Sequence, residues 1–434
     1  MEAVVTAVNE ALPWYSSVHR GAGHLSQVST RLFEAARQAV GSFVGARDSD
    51  SVVFVRNTTD AINHLAACLL VPAGSIVLTT ALEHHANMLP WRRLGPVEHL
   101  PPPPTPAALL SAMEEALRAA GGRVAVVAVT GASNVTGEVM PVAEMARIAH
   151  AHGALISIDA AQLAPHRRID MVTMDLDCVA LSGHKMYAPF GAGALVLRTD
   201  LVADAEPLIA GGGAVDFVTL EDVLWTGMPD RLEAGSPNVL GAIALGVAAT
   251  TLAEAGMGRV AEHERELLDR VDAALATMPR VQRLRLWEGP DVDRLGVVTF
   301  TVAGMHHALV AAALSAEHGI GVRHGCFCAH PYITHLLGID AIAADSVRSA
   351  LRRGERVGIP GAVRASFGIG TTRRDIDTFT AALAQLLDRG PLLEYAQDPG
   401  TGDFLPLRDG REWPRLAGLP PLETAGLAAG CGQF

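Results

Sequence analysis

Between about residues 50 and 200, continuous apolar runs rich in β-branched residues alternate with segments in which apolar positions recur every three or four residues. The runs SVVFV, SIVLTT, RVAVVAV and ALISIDA predict strands covered on both faces. The segments TTDAINHLAACLL, PAALLSAMEEALRAAG and PVAEMARIAHAHG predict the amphipathic helices that cover them. CVALSG and GALVLR add two further strands. Strands and helices in alternation specify an α/β domain built on a parallel sheet.

The pattern changes in the second half of the chain. A long helical stretch runs from VLGAIALGVAATTLAEAG into VAEHERELLDRVDAALATM. Strand-like RLRLW and LGVVTFTV follow, then a helix at HALVAAALSAEHG, a strand at GVRHG and a last helix at RRDIDTFTAALAQLLDRG. This predicts a large domain over 1–240, a smaller α+β domain over 241–393 and a turn-rich tail over 394–434, with residues 1–20 able to pack on the smaller domain. The run PPPPTP at 101–106 is a short stiff loop.

Composition narrows the function classes. A formal charge of −12 over 434 residues, with no Arg-rich run, excludes a nucleic-acid footprint. The longest apolar stretches are short or broken by glycine, so no membrane span is predicted, and no charged, apolar leader opens the chain. A cytoplasmic protein is expected. Five scattered cysteines, Cys68, Cys178, Cys326, Cys328 and Cys431, form no disulfide framework, and CFC without a second Cys/His pair forms no zinc site, so no metal is expected. Arginine supplies the positive charge everywhere except at Lys185, the only lysine.

In a parallel α/β sheet ligands bind beyond the carboxyl ends of the strands, and four such ends carry polar groups. After SVVFV, Thr58 and Thr59 open a helix, as a phosphate cradle or a plain N-cap. After SIVLTT comes His84, either a ring that stacks on a flat cofactor or a packed histidine. After ALISIDA, Asp159 is costly to bury unless it meets a cation, and Gln162 follows one helical turn on. After CVALSG, Lys185 sits among small residues, where poor solvation frees an amine for a Schiff base. Arginine cannot do that chemistry, so a chain that uses arginine everywhere else must keep this lysine. Amine, carboxylate, hydroxyls and imidazole together are what pyridoxal phosphate requires.

The stretches VHRGAGHLS, VFVRNTTDAIN, EHHANMLPW, SNVTGEVMPV, SIDAAQ, LSGHKMYAPFGAGAL, RLEAGSPN, VRHGCFCAHP and VRASFGIG follow one another from about residue 17 to 390. In this order they resemble the fold-type I pyridoxal 5'-phosphate enzymes of aminotransferase class V, and within them the group II cysteine desulfurases and selenocysteine lyases. The resemblance implies a large domain with a mainly parallel seven-stranded sheet and a smaller α+β C-terminal domain. It makes Lys185 the Schiff-base lysine, Asp159 the partner of the pyridine nitrogen and Gln162 a donor to the ring hydroxyl. His84 becomes the ring-stacking residue and a proton shuttle. Thr58, Thr59, Ser182 and His184 become the phosphate cradle. Ser236 resembles a residue that reaches the phosphate from the neighbouring subunit, which implies a homodimer with a shared active site. Asn134 resembles a contact to substrate and cofactor, and Arg364 the clamp on the substrate carboxylate. Cys328 resembles the cysteine that takes sulfur from L-cysteine as a persulfide, leaving L-alanine, with an acceptor protein to receive it.

Three departures keep other readings open. The chain begins with MEAVVTAVNEALPWYSSVHRG, about where the helix after the family's first pocket-lining turn is expected. The 329–363 segment is longer than a simple desulfurase needs and is expected to add helices, and the tail is a further addition. Cys328 is therefore either the sulfur acceptor or an incidental loop cysteine, and Cys326 either resolves an oxidised Cys328 or does nothing. The alternatives are a class V aminotransferase, an epimerase or a β-lyase acting on a specialised amino acid, and a non-catalytic dimeric scaffold.

Overall fold

The computed structural model describes residues 1–19, 21–414 and 416–418; Cys431 and the end of the predicted tail lie outside them. The chain divides into two compact units, Met1–Ser133 with Val139–Ala261, and Asn134–Glu138 with Glu262 onward.

The first unit is a seven-stranded sheet of β1 (Asp50–Val55), β2 (Ile76–Thr80), β3 (Val97–Leu100), β4 (Val124–Thr130), β5 (Leu155–Asp159), β6 (Cys178–Ser182) and β7 (Gly193–Arg198). Their order is β1-β7-β6-β5-β4-β2-β3. Only β7 runs antiparallel to its neighbours, so the mainly parallel sheet is as the pattern and the resemblance predict. The central strands are apolar throughout because both faces are covered; β2 and β6 are buried at every position.

The covering helices are α1 (Glu2–Ala11), α2 (His24–Phe43), α3 (Thr58–Cys68), α4 (Pro106–Ala120), α5 (Val142–Ala151) and α6 (Val239–Ala255). Their ends follow local chemistry. The Thr105 hydroxyl accepts from Ala108 N, Pro106 occupies the first turn of α4, and Gly121 closes it at φ +60°. Asn57 caps α3 by accepting from Asp60 N. Val4 and Val8 of α1 cluster with Ala244 and Ala248 of α6 inside this unit. Leu65, fully buried under the sheet with Val53, Leu195 and Leu197, belongs to a core where truncation to alanine costs about 2–5 kcal/mol.

Two elements escape an apolar-run reading. β3 is an edge strand with exposed polar residues in its middle. A hairpin of β8 (Val215–Val218) and β9 (Val223–Trp225) carries its apolar side chains outward, with Phe217, Leu220 and Leu224 exposed.

The second unit is a four-stranded antiparallel sheet of β10 (Val281–Leu284), β11 (Val297–Val302), β12 (Arg323–Gly325) and β13 (Ala362–Ser366), ordered β10-β11-β13-β12. The chain enters this unit within α7 (Met257–Leu275). With α8 (His307–His318) and α11 (Arg373–Arg389), α7 closes a core that includes Val271, Phe300, Leu314 and Phe379. A reciprocal Thr372–Asp375 capping box starts α11. The long 329–363 segment adds two helices, α9 (His330–Leu336) and α10 (Ala341–Arg352). Part of the tail is ordered as a small hairpin, β14 (Tyr395–Gln397) with β15 (Phe404–Pro406). Among the described residues no single helix is long and apolar enough to cross a membrane.

Candidate active site

In the first unit the polar groups gather at the carboxyl ends of β1, β2, β5 and β6, where a doubly covered sheet places its ligands. Asp159 ends β5, 4% exposed, and pairs in register with Ala180 of β6 and Thr130 of β4. One carboxylate oxygen accepts from Ala161 N at 3.0 Å. Burial pushes its pKa up, opposed by the nearby Lys185 charge and that N–H. A carboxylate held this way is stabilised further by a cation. Lys185, half-buried, closes the short turn Gly183–Lys185 that follows β6. Gln162 is half-buried in the turn after β5.

Thr58, Ser182 and His184 lie together. Thr58 N donates to Ser182 Oγ at 3.4 Å, and Ser182 Oγ shares a 3.2 Å hydrogen bond with His184 Nδ1. The Thr58 hydroxyl is buried and has no partner. It stands at the N-terminus of α3, whose free N–H groups and dipole favour an anion. Gly193 permits this arrangement, because a Cβ there would lie 2.8 Å from Asn57 Cα and 2.5 Å from Leu181 O. Thr59, His184 and Ser236 are exposed. Local desolvation and the Lys185 charge hold the His184 pKa below its ordinary value.

His84 follows β2, and its Nδ1 accepts from Ala86 N at 3.1 Å, which leaves Nε2 carrying the proton in the neutral ring. The residue before it, Glu83, is fully buried. Its carboxylate accepts from Thr80 Oγ1 and from Asn87 Nδ2, both at 2.7 Å, and Asn87 Oδ1 accepts from Trp91 Nε1 at 3.1 Å. Burial, with Asp159 adding to it, pushes the Glu83 carboxyl up to about 8. Sequence reasoning passed over Glu83. The signal was the one that singled out Asp159: a carboxylate just beyond a buried strand.

The second unit brings together Asn134, Phe327, Cys328 and Arg364. Arg364, on β13, is 9% exposed; its Nη1 donates to Asn134 O at 2.6 Å, and its guanidinium lies 5.0 Å from the Phe327 ring centroid. Asn134 Nδ2 donates to Phe327 O at 2.8 Å. Arg364 Nε is buried without a partner. Burial and Arg323 lower the Arg364 pKa to about 10, opposed by the Cys328 sulfur. An unpartnered guanidinium edge in a buried site suits a carboxylate ligand.

Cys328 is half-exposed, on a loop where both Phe327 (φ +54°) and Cys328 (φ +56°) adopt the left-handed conformation. Each such non-glycine residue costs about 1–2 kcal/mol, a strain that concentrates at functional sites. Cys326 is buried, with its thiol pushed up to about 11 by burial and by Cys328, so it stays protonated. Among the described residues no group of three or more His, Cys, Asp or Glu side chains could hold a metal.

A chain whose α/β sheet ends in Asp159 and Lys185 matches the aminotransferase class-V family over residues 1–379, and it belongs to that family. Its relatives narrow the class to desulfurase-like enzymes. The chain is 34% identical over 390 residues to the "Probable cysteine desulfurase" of Halalkalibacterium halodurans, covering 88% of this chain and 89% of that one. It is 36% identical over 383 residues to the "Probable cysteine desulfurase" of Mycolicibacterium paratuberculosis, covering 86% of this chain but 52% of that one, so it spans about half the length of that relative. The solved apo structure of the cysteine desulfurase from Thermococcus onnurineus NA1 superposes with a TM-score of 0.77 at 32% identity, covering 89% of this chain and 91% of that one.

Proposed function

We propose that this chain is a pyridoxal-phosphate-dependent cysteine desulfurase, converting L-cysteine to L-alanine with transfer of its sulfur to Cys328. The observation that carries the reading is Cys328 itself, a half-exposed thiol on a strained loop whose Phe327 ring packs against the buried guanidinium of Arg364.

The residues present fit the cofactor. The partnerless Thr58 hydroxyl at a helix N-terminus suits its phosphate, and the buried Asp159 carboxylate suits a protonated ring nitrogen. Thr59, Ser182 and His184 complete the phosphate cradle, Gln162 serves the ring hydroxyl, and Lys185 supplies the amine. When bound, pyridoxal phosphate supplies an electron sink for the α-carbon of an amino acid.

The chain's own groups do the rest. Arg364 and Asn134 orient the substrate carboxylate and amine. Lys185 Nζ takes the proton from the substrate α-carbon and returns one to carbon. His84 covers the ring and moves a proton at Nε2. Cys328 Sγ forms a bond to the substrate sulfur as the sulfur–carbon bond breaks; the electron pair left on carbon takes up a proton, giving alanine and a Cys328 persulfide. An acceptor protein then receives that sulfur.

The outward apolar face of the β8–β9 hairpin and the exposed Ser236 support a homodimer in which each copy completes the other's site. A cytoplasmic enzyme fits the reduced thiols this chemistry uses. A panel of amino acids scored together for sulfide, alanine and keto acid tests the reading. With a thiol reductant present to release the persulfide sulfur, alanine and sulfide in equal amounts from L-cysteine support it; keto acid with the cofactor left as its amine form, or a racemised amino acid, would assign the chain to transamination or epimerisation instead.

A further inference from the structure

The C-terminal addition is tied to the strand that leads into Cys328. Glu317, at the end of α8, accepts from Leu392 N at 3.0 Å, Leu393 N at 3.1 Å and the Tyr395 hydroxyl at 3.0 Å, which plants the base of the β14–β15 hairpin. The hairpin turn is closed by Asp398 Oδ1, which accepts from Gly400 N and Thr401 N, both at 2.8 Å. Gly402, at φ +81°, lies so close to the segment after α10 that a Cβ would stand 2.6 Å from Arg356 O. No residue with a side chain could replace it without moving one of the two segments.

The next two residues reach β12 and the start of α8. Asp403 Oδ1 lies 3.4 Å from Nε2 of His324, the middle residue of β12 and four positions before Cys328. On its other side His324 Nδ1 lies 3.3 Å from His307 Nδ1, and His307 Nε2 donates to Ile359 O at 2.9 Å. The Phe404 ring packs on His306, with centroids 5.7 Å apart. Two imidazoles thus link the hairpin, β12, α8 and the segment after α10. The space left among them is only about 20 Å³, with Gly325 and Cys326 on its wall.

We propose that Asp403 and His324 are positioning residues for the thiol loop: the C-terminal hairpin, acting through this pair, holds β12 in the register that presents Cys328. The inference rests on the role proposed above for Cys328, but its geometry does not depend on which reaction the thiol serves.

The test reads the loop directly. The holoenzyme and its Asp403→Ala, Asp403→Asn and Asp409→Ala variants are alkylated with iodoacetamide across pH 6–9, and the rate at Cys328 is followed by peptide mass spectrometry beside the thermal midpoint. Asp409 binds Arg411 further along the tail, away from His324, so its loss loosens the tail without breaking the link. Asp403→Ala is expected to change the Cys328 rate about three- to tenfold, the factor that one lost polar contact corresponds to. Asp403→Asn, which can still bond His324, restores most of the wild-type profile, and Asp409→Ala leaves it unchanged. If Asp403→Ala gives the wild-type rate and pH profile, or if Asp409→Ala changes them as much, the hairpin is only a stabilising addition and the proposal fails. If the alkylation pattern is as expected but L-cysteine with a thiol reductant yields neither alanine nor sulfide, the positioning role stands and the desulfurase reading falls.

Discussion

Replacing Glu83 by glutamine is expected to stabilise the apoprotein at high pH, which is the reverse of what loss of a buried, hydrogen-bonded carboxylate usually does. The Glu83 carboxyl is fully buried, bonded to Thr80 and Asn87, and pushed from 4.5 up to about 8 by burial with Asp159 nearby. An acid whose folded value lies above its unfolded value holds its proton more tightly in the folded chain. Stability is therefore full below about pH 4.5 and is lost progressively as pH rises toward about 8. The whole interval corresponds to at most about 5 kcal/mol. Glutamine has the same shape, accepts from Asn87 and donates to Thr80, and never ionises. The Glu83→Gln apoprotein should match wild type within about 1 kcal/mol at pH 5 and exceed it by about 2–4 kcal/mol at pH 9. Thermal unfolding of both proteins at pH 5, 7 and 9 reads this as a gap in midpoint that opens with pH. A gap that stays constant, or a glutamine variant that is less stable at pH 9, would show that Glu83 is an ordinary ionised carboxylate and refute the reasoning.

Three other outcomes follow from the site. Because Lys185 is the only lysine, borohydride reduction of the loaded enzyme should place the cofactor's mass on the Lys185 peptide alone and on no peptide of Lys185→Ala; a tag at Met1 would contradict the assignment. Arg364→Lys keeps the charge but loses the planar fork, and should raise KM for the amino acid about 10- to 100-fold; an unchanged KM would place the carboxylate elsewhere. Thr58→Val removes a buried hydroxyl that has no partner in the protein, so the apoprotein should lose no stability while cofactor affinity falls about three- to tenfold. Lower stability with unchanged affinity would mean that the hydroxyl serves the fold rather than the phosphate.

The central sheet was legible because burial on both faces writes β4, β5 and β6 as continuous apolar runs, and because amphipathic helical patterns such as PAALLSAMEEALRAAG and PVAEMARIAHAHG alternate with the strands. The edge strand β3 and the β8–β9 hairpin were not, since neither is enclosed on both faces and the burial signal is missing. In the site, Lys185 and Asp159 stood out because each is chemically anomalous where it sits. Glu83 did not, because its partners Thr80, Asn87 and Trp91 become visible only when the turn after β2 folds. The second unit's site depends on residues far apart in sequence: Arg364 meets Asn134 across 230 positions, a pairing no local pattern encodes. The contact between His324 and Asp403 is of the same kind, and a tail that reads as turns conceals it.

Transfer of sulfur to Cys328 is read out by mass spectrometry of the Cys328 peptide. The loaded enzyme is incubated with L-cysteine without reductant, digested and mapped while alanine is quantified. The expected result is one added sulfur on Cys328, none on Cys326 or Cys178, one alanine per persulfide in the first turnover, and loss of both in Cys328→Ser. Alanine released at the wild-type rate by Cys328→Ser, or turnover of L-cysteine with Cys328 unmodified throughout, would contradict it.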